Sequence, residues 1–342
     1  MNVRVLLTGG TIASGFREGG AEPDGATARS LVGLLDSFFR ERGVVPLFRS
    51  LWGEAGLDSS DLDPGHWVVL TREVAEALEE GCGGVLILHG TDTMAYTSAW
   101  LSLCLAGVPV SVVLTGSQFT RDFTPEDGSV NLRGAAQVLC SSFPGVWLYF
   151  NWKLIPGARA HKARASHPDA FVSTNGIPVY FNPEWGLSSS FEHPKKTWNP
   201  GKDLRALLAH TPETARAVCS RMGWHFCFPG CGLCLRGDEE VLGLVGYGAG
   251  NVPQRLLRQV EETYAKRDRK PLILACSQAE GDFKNPGAYR NVGIASLSRS
   301  GFRVFSQMDS PLEFVHALGC FALLARPEAP EDVLSRHLKT FS

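Results

Sequence analysis

Three segments of the chain, "VRVLLTGG" at 3–10, "VLILHG" at 85–90 and "PVSVVLTGS" at 109–117, are apolar almost throughout and stop at glycine. A strand with one solvated face alternates apolar and polar residues, whereas a strand apolar along its whole length has to be covered on both faces. Between these runs the period changes. Residues 28–42 place Leu31, Leu34, Leu35, Phe38 and Phe39 at helical spacing. "TREVAEALEEG" at 71–81 reads as a helix with Thr71 as its N-cap and Gly81 closing it. Residues 94–106 read as a crossover helix, and "GVWLYFN" at 145–151 as another strand. Strands alternating with helices in this way imply a mostly parallel sheet flanked by helices, an α/β fold.

The chain has 342 residues, more than one core usually serves, so two domains are expected. Residues 183–203, "PEWGLSSSFEHPKKTWNPGKD", are rich in Pro, Ser, Gly and charge and show no periodicity. They open a linker, after which alternation resumes. "VLGLVGYGAG" reads as strand and turn, 253–264 as a helix with Pro253 in its first turn, "PLILACS" as a strand and 310–324 as a helix. The expected organisation is a larger α/β domain over 1–195, a linker over 196–214, and a smaller α/β domain over 215–342.

Composition narrows the function classes. Hydrophobic residues make up 44% and charged residues 20%, with a net charge of −2 and no long basic block. This balance points away from nucleic-acid and membrane partners. No window approaches the roughly 18 apolar residues of a membrane span. The first residues lack the length and cleavage pattern of a signal segment. Nine scattered cysteines suit reduced thiols in a cytoplasmic protein.

In open parallel sheets, ligands bind beyond the carboxyl ends of the strands. Three hydroxyl-rich turns fall at such ends: "TGGTIAS" at 8–14, "HGTDTM" at 89–94 and "LTGSQ" at 114–118. Each can be read as ordinary turn and helix-cap chemistry. Together, with glycine beside each hydroxyl, they can also be read as a site where backbone N–H groups approach an anion closely. A threonine hydroxyl needs a base to become a nucleophile. Asp92 alone is a poor base, because a carboxylate titrates near pH 4. A lysine shifted downward by burial, with the aspartate holding it, serves better, although residue types alone do not say which lysine. His89 reads as a structural histidine at a strand end, and Thr93 as the residue that starts the next helix.

"TGGTIAS", "LDSSDL" at 57–62, "LHGTDTMAYTS" and "VVLTGSQ" occur in this order, followed by "ARAHKARASHPDAFVS" at 158–173, "GYGAGNVP" at 246–253 and "SQAEG" at 277–281. The series, spanning nearly the whole chain, resembles the bacterial-type L-asparaginase/glutaminase family. The resemblance implies the two-domain asparaginase-like fold and an amidohydrolase that uses a threonine nucleophile and an acyl-enzyme. It makes Thr11 the nucleophile and Thr91, Asp92 and Lys162 a second catalytic set, in which threonine and lysine relay a proton. Asp92 also holds the substrate α-amino group. Ser59, Ser60, Gly90 and Asn251 become substrate-binding residues, Ser59 for the α-carboxylate and Asn251 at a neighbouring subunit's site. It further implies a homodimer or homotetramer with active sites near subunit interfaces, an amino-acid amide as the small-molecule substrate, and no metal or organic cofactor.

Some positions depart from the family pattern. The segment after the nucleophile, "SGFREGGAEPDGATARS", lacks the tyrosine expected there. Ala21 stands near its place, and the Phe16 ring has no hydroxyl to donate. Glu280 is the nearest candidate for the glutamate that a neighbouring subunit offers, and "MDSPLEFVHALG" inverts the family's Asp-Met pair. These departures leave open whether the substrate is asparagine or another amide: glutamine, a peptide, a tRNA-linked amino acid or a biosynthetic intermediate. A non-catalytic amino-acid-binding homologue is a third reading. Cys227, Cys231 and Cys234, near His225, have spacing compatible with a metal site but are also what a buried strand and turn would carry.

Overall fold

The computed structural model describes residues 1–10, 14–17, 20–23, 25–54, 56–120, 126–141, 143–182, 186–187, 201–279, 285–289 and 292–341, with backbone alone at 14–17, 20–23, 28, 182 and 186–187. Thr11 and Glu280 lie outside the described residues. The chain divides into two compact units, Met1–Leu208 and Ala209–Ser342.

In the first unit the apolar runs become the centre of an eight-stranded sheet. Val45–Ser50, Asn2–Leu7, Gly84–Leu88, Ser111–Thr115 and Gly145–Phe150 lie side by side and parallel. Every residue of Gly84–Leu88 and Ser111–Thr115 is buried, as strands covered on both faces must be. One face packs Val3, Val5, Leu86 and Val113 against Leu31, Leu35 and Phe39 of Gly25–Arg40 and Leu132, Ala135 and Leu139 of Gly128–Cys140. The last three strands, Lys153–Pro156, Val179–Asn182 and Gly186–Leu187, run antiparallel. The first of them returns through the two-residue turn Asn151–Trp152, with φ of 47° and 65°. A short antiparallel ladder pairs Ala160–Lys162 with Phe171–Ser173, and the segment holding Phe16 and Ala21 is a hairpin in which these two residues pair.

The helix expected over 71–81 starts earlier, at Pro64, and runs to Glu79. Asp63 is its N-cap: the carboxylate accepts from the His66 N–H, His66 Nδ1 accepts from the Asp63 N–H, and Pro64 fits the first turn. Gly81 follows the helix with φ of 80°, as a closing residue does. Thr71 caps nothing. It is buried in mid-helix, where its hydroxyl donates to the Trp67 carbonyl at 2.7 Å and accepts from the Trp100 indole at 2.8 Å. Trp67 and Trp100 stack with ring centres 5.2 Å apart, joining this helix to Met94–Cys104.

The second unit repeats the design with Met222–Phe226, Val241–Gly246, Leu272–Ser277 and Val304–Ser306 in parallel and Lys339–Phe341 antiparallel at the edge. Its later helices are Gln254–Thr263, Leu312–Ala325 and Pro330–His337. Lys202–Leu208 and Pro212–Cys219, in or beside the segment expected as linker, are helical. Leu204 and Leu207 are buried, and the Thr211 hydroxyl caps the second helix at the Thr214 N–H. Among the described residues no helix is long and apolar enough to cross a membrane.

Thr71→Val keeps the branched shape but removes the acceptor for the Trp100 indole and the donor to Trp67. Because both bonds are buried, stability should fall by about 1–3 kcal/mol. Urea denaturation checks this, with Thr71→Ser avoiding most of the loss.

Candidate active site

Those of the residues singled out at the strand ends that are described come together in the first unit. Strand Gly84–Leu88 delivers His89 and Gly90 into a turn, and Thr91 is 5% exposed. Backbone pairing continues past the strands, the Thr8 N–H and hydroxyl both donating to the Leu88 carbonyl at 3.0 and 2.9 Å. Gly10 has φ of 89°, and a Cβ there would strike the backbone of Gly90. A Cβ on Gly90 would lie 2.5 Å from Ser59 Oγ. Only glycine permits this approach of loops.

Lys162 ends the short strand Ala160–Lys162, and its ammonium reaches the same turn. Nζ lies 2.8 Å from Thr91 Oγ1 and 2.6 Å from Asp92 Oδ1. The lysine side chain is 16% exposed and that of Asp92 63%. An ammonium has three donors and no acceptor, so one cation here bridges a buried hydroxyl and a carboxylate open to solvent. The loop after Lys162 folds back on itself. Ala163 N–H donates to the Ala170 carbonyl at 2.8 Å, and Arg164 donates to the Asp169 carbonyl at 2.7 Å. Gln118, from "LTGSQ", hydrogen-bonds the Ala165 carbonyl. Asp127, whose carboxyl burial pushes up, accepts from the Gln118 and Phe119 N–H groups at 2.8 and 3.1 Å.

Ser59 begins the turn Ser59–Asp61 and is buried. Ser60 is exposed, and its hydroxyl and N–H both donate to Asp58 Oδ1, at 2.7 and 2.8 Å. Asn251 belongs to the second unit, in a turn closed by mutual backbone bonds of 2.8 Å with Tyr247. Its Oδ1 is buried with no partner among the described residues. Thr93 precedes Met94–Cys104 as expected, yet makes no side-chain cap bond. Its hydroxyl donates to the Ser59 carbonyl at 2.7 Å. No local pattern could have signalled that link, since the partner lies 34 residues away.

His89 is wholly buried. Its Nδ1–H donates to the Gly90 carbonyl at 2.7 Å, which fixes the tautomer and leaves Nε2 as a buried acceptor with no partner among the described residues. Cys227 is buried and Cys231 Sγ accepts from the Phe228 N–H at 3.2 Å, while Cys234 is exposed. The described residues contain no group of three or more His, Cys, Asp or Glu arranged to hold a metal.

A hydroxyl, an ammonium and a carboxylate meeting at the carboxyl ends of parallel strands form the kind of site that an enzyme activating a hydroxyl requires. Comparison with known proteins specifies the class. Residues 2–185 match the family model for the asparaginase N-terminal domain. The L-asparaginase of Thermococcus kodakarensis is 32% identical over 294 residues, 82% of this chain and 81% of that protein. A glutamyl-tRNA(Gln) amidotransferase component from Pyrococcus abyssi is 35% identical over 280 residues, 76% of this chain and 59% of that protein. The solved structure of the thermostable T. kodakarensis L-asparaginase superposes with a TM-score of 0.76 at 27% identity, covering 98% of this chain and 96% of that one. The chain belongs to the asparaginase family and is an amidohydrolase of that kind.

Burial lowers the His89 pKa to about 4 from its ordinary 6.5. Between those values the unfolded ring binds the extra proton and the folded ring does not. Stability is therefore complete above pH 6.5, is lost as pH falls toward 4, and loses nothing further below. His316, also buried, shifts in the same direction to about 4. The His89 contribution is on the order of 3 kcal/mol. Urea denaturation between pH 7.5 and 4 should show the decline, and His89→Gln should flatten it by a comparable amount.

Proposed function

We propose that this chain hydrolyses the side-chain amide of L-asparagine to aspartate and ammonia, through a threonine nucleophile and an acyl-enzyme. The observation that carries the reading is Lys162 Nζ within hydrogen-bond reach of both Thr91 and Asp92. Thr11 is the nucleophile by its place in "TGGTIA", a residue outside those described. Its proton must leave as the hydroxyl attacks the amide carbon, and Lys162, once it has given up its own extra proton to become the neutral amine, can accept it through the Thr91 hydroxyl. Asp92 holds the amine in place and also receives the substrate α-amino group. Collapse of the tetrahedral intermediate breaks the C–N bond, and the returned proton leaves with ammonia. Water then adds to the acyl-threonine along the same proton route, releasing aspartate and restoring the hydroxyl. Backbone N–H groups of the glycine turns stabilise the oxyanion. Ser59, Ser60 and Gly90 take the substrate α-carboxylate side of the pocket.

The catalytic residues sit in the N-terminal domain of a cytoplasmic homodimer or homotetramer, with Asn251 serving a neighbouring subunit's site. A second reading keeps this chemistry on another amide. It is favoured by the absent tyrosine in "SGFREGGAEPDGATARS" and by the likeness to an amidotransferase component.

Ammonia release from asparagine, glutamine and small peptides tests both. The wild-type chain should act on asparagine, and Thr11→Ala, Thr91→Ala and Lys162→Met should each lower kcat by about 10²–10⁴. Release that survives all three substitutions excludes the mechanism. Release only from a larger amide selects the second reading.

A further inference from the structure

Thr93 holds the position from which a hydroxyl ordinarily caps a helix, immediately before Met94–Cys104. With φ of −116° and ψ of 9°, its backbone lies near the bridge region rather than in the extended conformation usual for an N-cap. The hydroxyl is turned away from the helix and donates to the Ser59 carbonyl at 2.7 Å. That carbonyl also accepts from the Leu62 N–H at 3.2 Å, so both of its lone pairs are engaged. On the opposite side, Ser59 Oγ packs against Gly90 so closely that a Cβ there would lie 2.5 Å away. Four consecutive residues, Gly90 to Thr93, thus hold Ser59 from two sides while presenting Thr91 and Asp92 to Lys162.

We propose that Thr93 is a positioning residue for substrate binding. It fixes Ser59, and with it the substrate α-carboxylate, at a set distance from the Thr91–Lys162–Asp92 group, without taking part in proton transfer. The inference rests on the reading above that Ser59 binds that carboxylate. A helix-capping role would be served by a hydroxyl bonded to its own helix, and this one is not.

The test compares Thr93→Val, Thr93→Ala and Thr93→Ser with the wild type, each followed by ammonia release from asparagine and by calorimetric binding of L-aspartate. Aspartate carries the same α-carboxylate and requires no turnover. Thr93→Val keeps the branched shape, and the Leu62 N–H still closes the Ser59 turn. KM should rise about three- to tenfold with kcat within twofold, as loss of one hydrogen bond implies. The aspartate Kd should weaken by the same factor, and Thr93→Ser should restore both. Thr93→Ala gives the same readout if the valine variant does not fold. Unchanged KM and Kd, or a fall in kcat alone, overturns the proposal and leaves the hydrolytic reading standing. A wild-type chain that binds aspartate but releases no ammonia, with weaker binding in Thr93→Val, supports the positioning role and removes the hydrolytic one. A wild-type chain that does neither overturns both.

Discussion

Gly10 and Gly90 end two neighbouring parallel strands, and their backbones approach more closely than any side chain would allow. The geometry of the first unit's site follows from that approach. It lets ladder pairing run past the strands, with Thr8 donating to Leu88 and His89 donating to the Thr115 carbonyl at 2.9 Å. It also brings the Ser59 side chain against Gly90, while Leu57 of the same loop packs on the backbone of Gly9 and donates to the Thr8 carbonyl at 2.9 Å, so three strand-end loops meet. The strands behind them are buried on both faces, and an interior packed at crystal-like density yields little. Thr91 and Ser59 therefore take their separation from the sheet rather than from the flexibility of their own loops.

Lys162 arrives from a different direction and depends on a different kind of support. Its strand is three residues long and pairs, among the described residues, with Phe171–Ser173 alone. Charge supplies what the short ladder lacks. Lys153, buried beneath, bonds the Phe171 carbonyl and pairs with Asp169. Arg164 meets the same carboxylate at 3.2 Å, and Asn151 donates to it at 3.2 Å. Burial by itself raises the Asp169 pKa, but hydrogen bonds from Lys153 and Asn151 and the neighbouring cations outweigh it and hold the carboxyl below its ordinary range. The loop that carries Lys162 is thus tied down by a second, unrelated lysine, which is itself buried.

The parallel strands were legible in the sequence because a strand covered on both faces has no polar alternation to disguise it, and "VLILHG" and "PVSVVLTGS" say so directly. Helix starts were less legible. Thr71 has the residue type of an N-cap, yet the N-cap is Asp63, eight residues earlier, with a histidine completing a capping box that usually holds Glu or Gln. The small strands of the edge, such as Lys153–Pro156 and Ala160–Lys162, are too short to show a period. At the site, residue types and spacing gave hydroxyls at strand ends but left the lysine open among many, and the family resemblance singled out Lys162. Its 2.8 Å approach to Thr91 is a tertiary fact, made by a segment 71 residues further along. The same holds for Thr93, whose place at a helix start was readable while the destination of its hydroxyl was not.

The turn "GTDT" divides its side chains by direction. Thr91 and Asp92 face the ammonium of Lys162, and Thr93 faces back toward Ser59. Bonds of 2.6–2.8 Å to Lys162 and one of 2.7 Å to Ser59 tie the turn to two separate segments of the chain. In the proposed mechanism the turn therefore sets the gap between the group proposed to move a proton and the serine proposed to hold the substrate carboxylate, so a substitution that loosens one side of the turn acts on both.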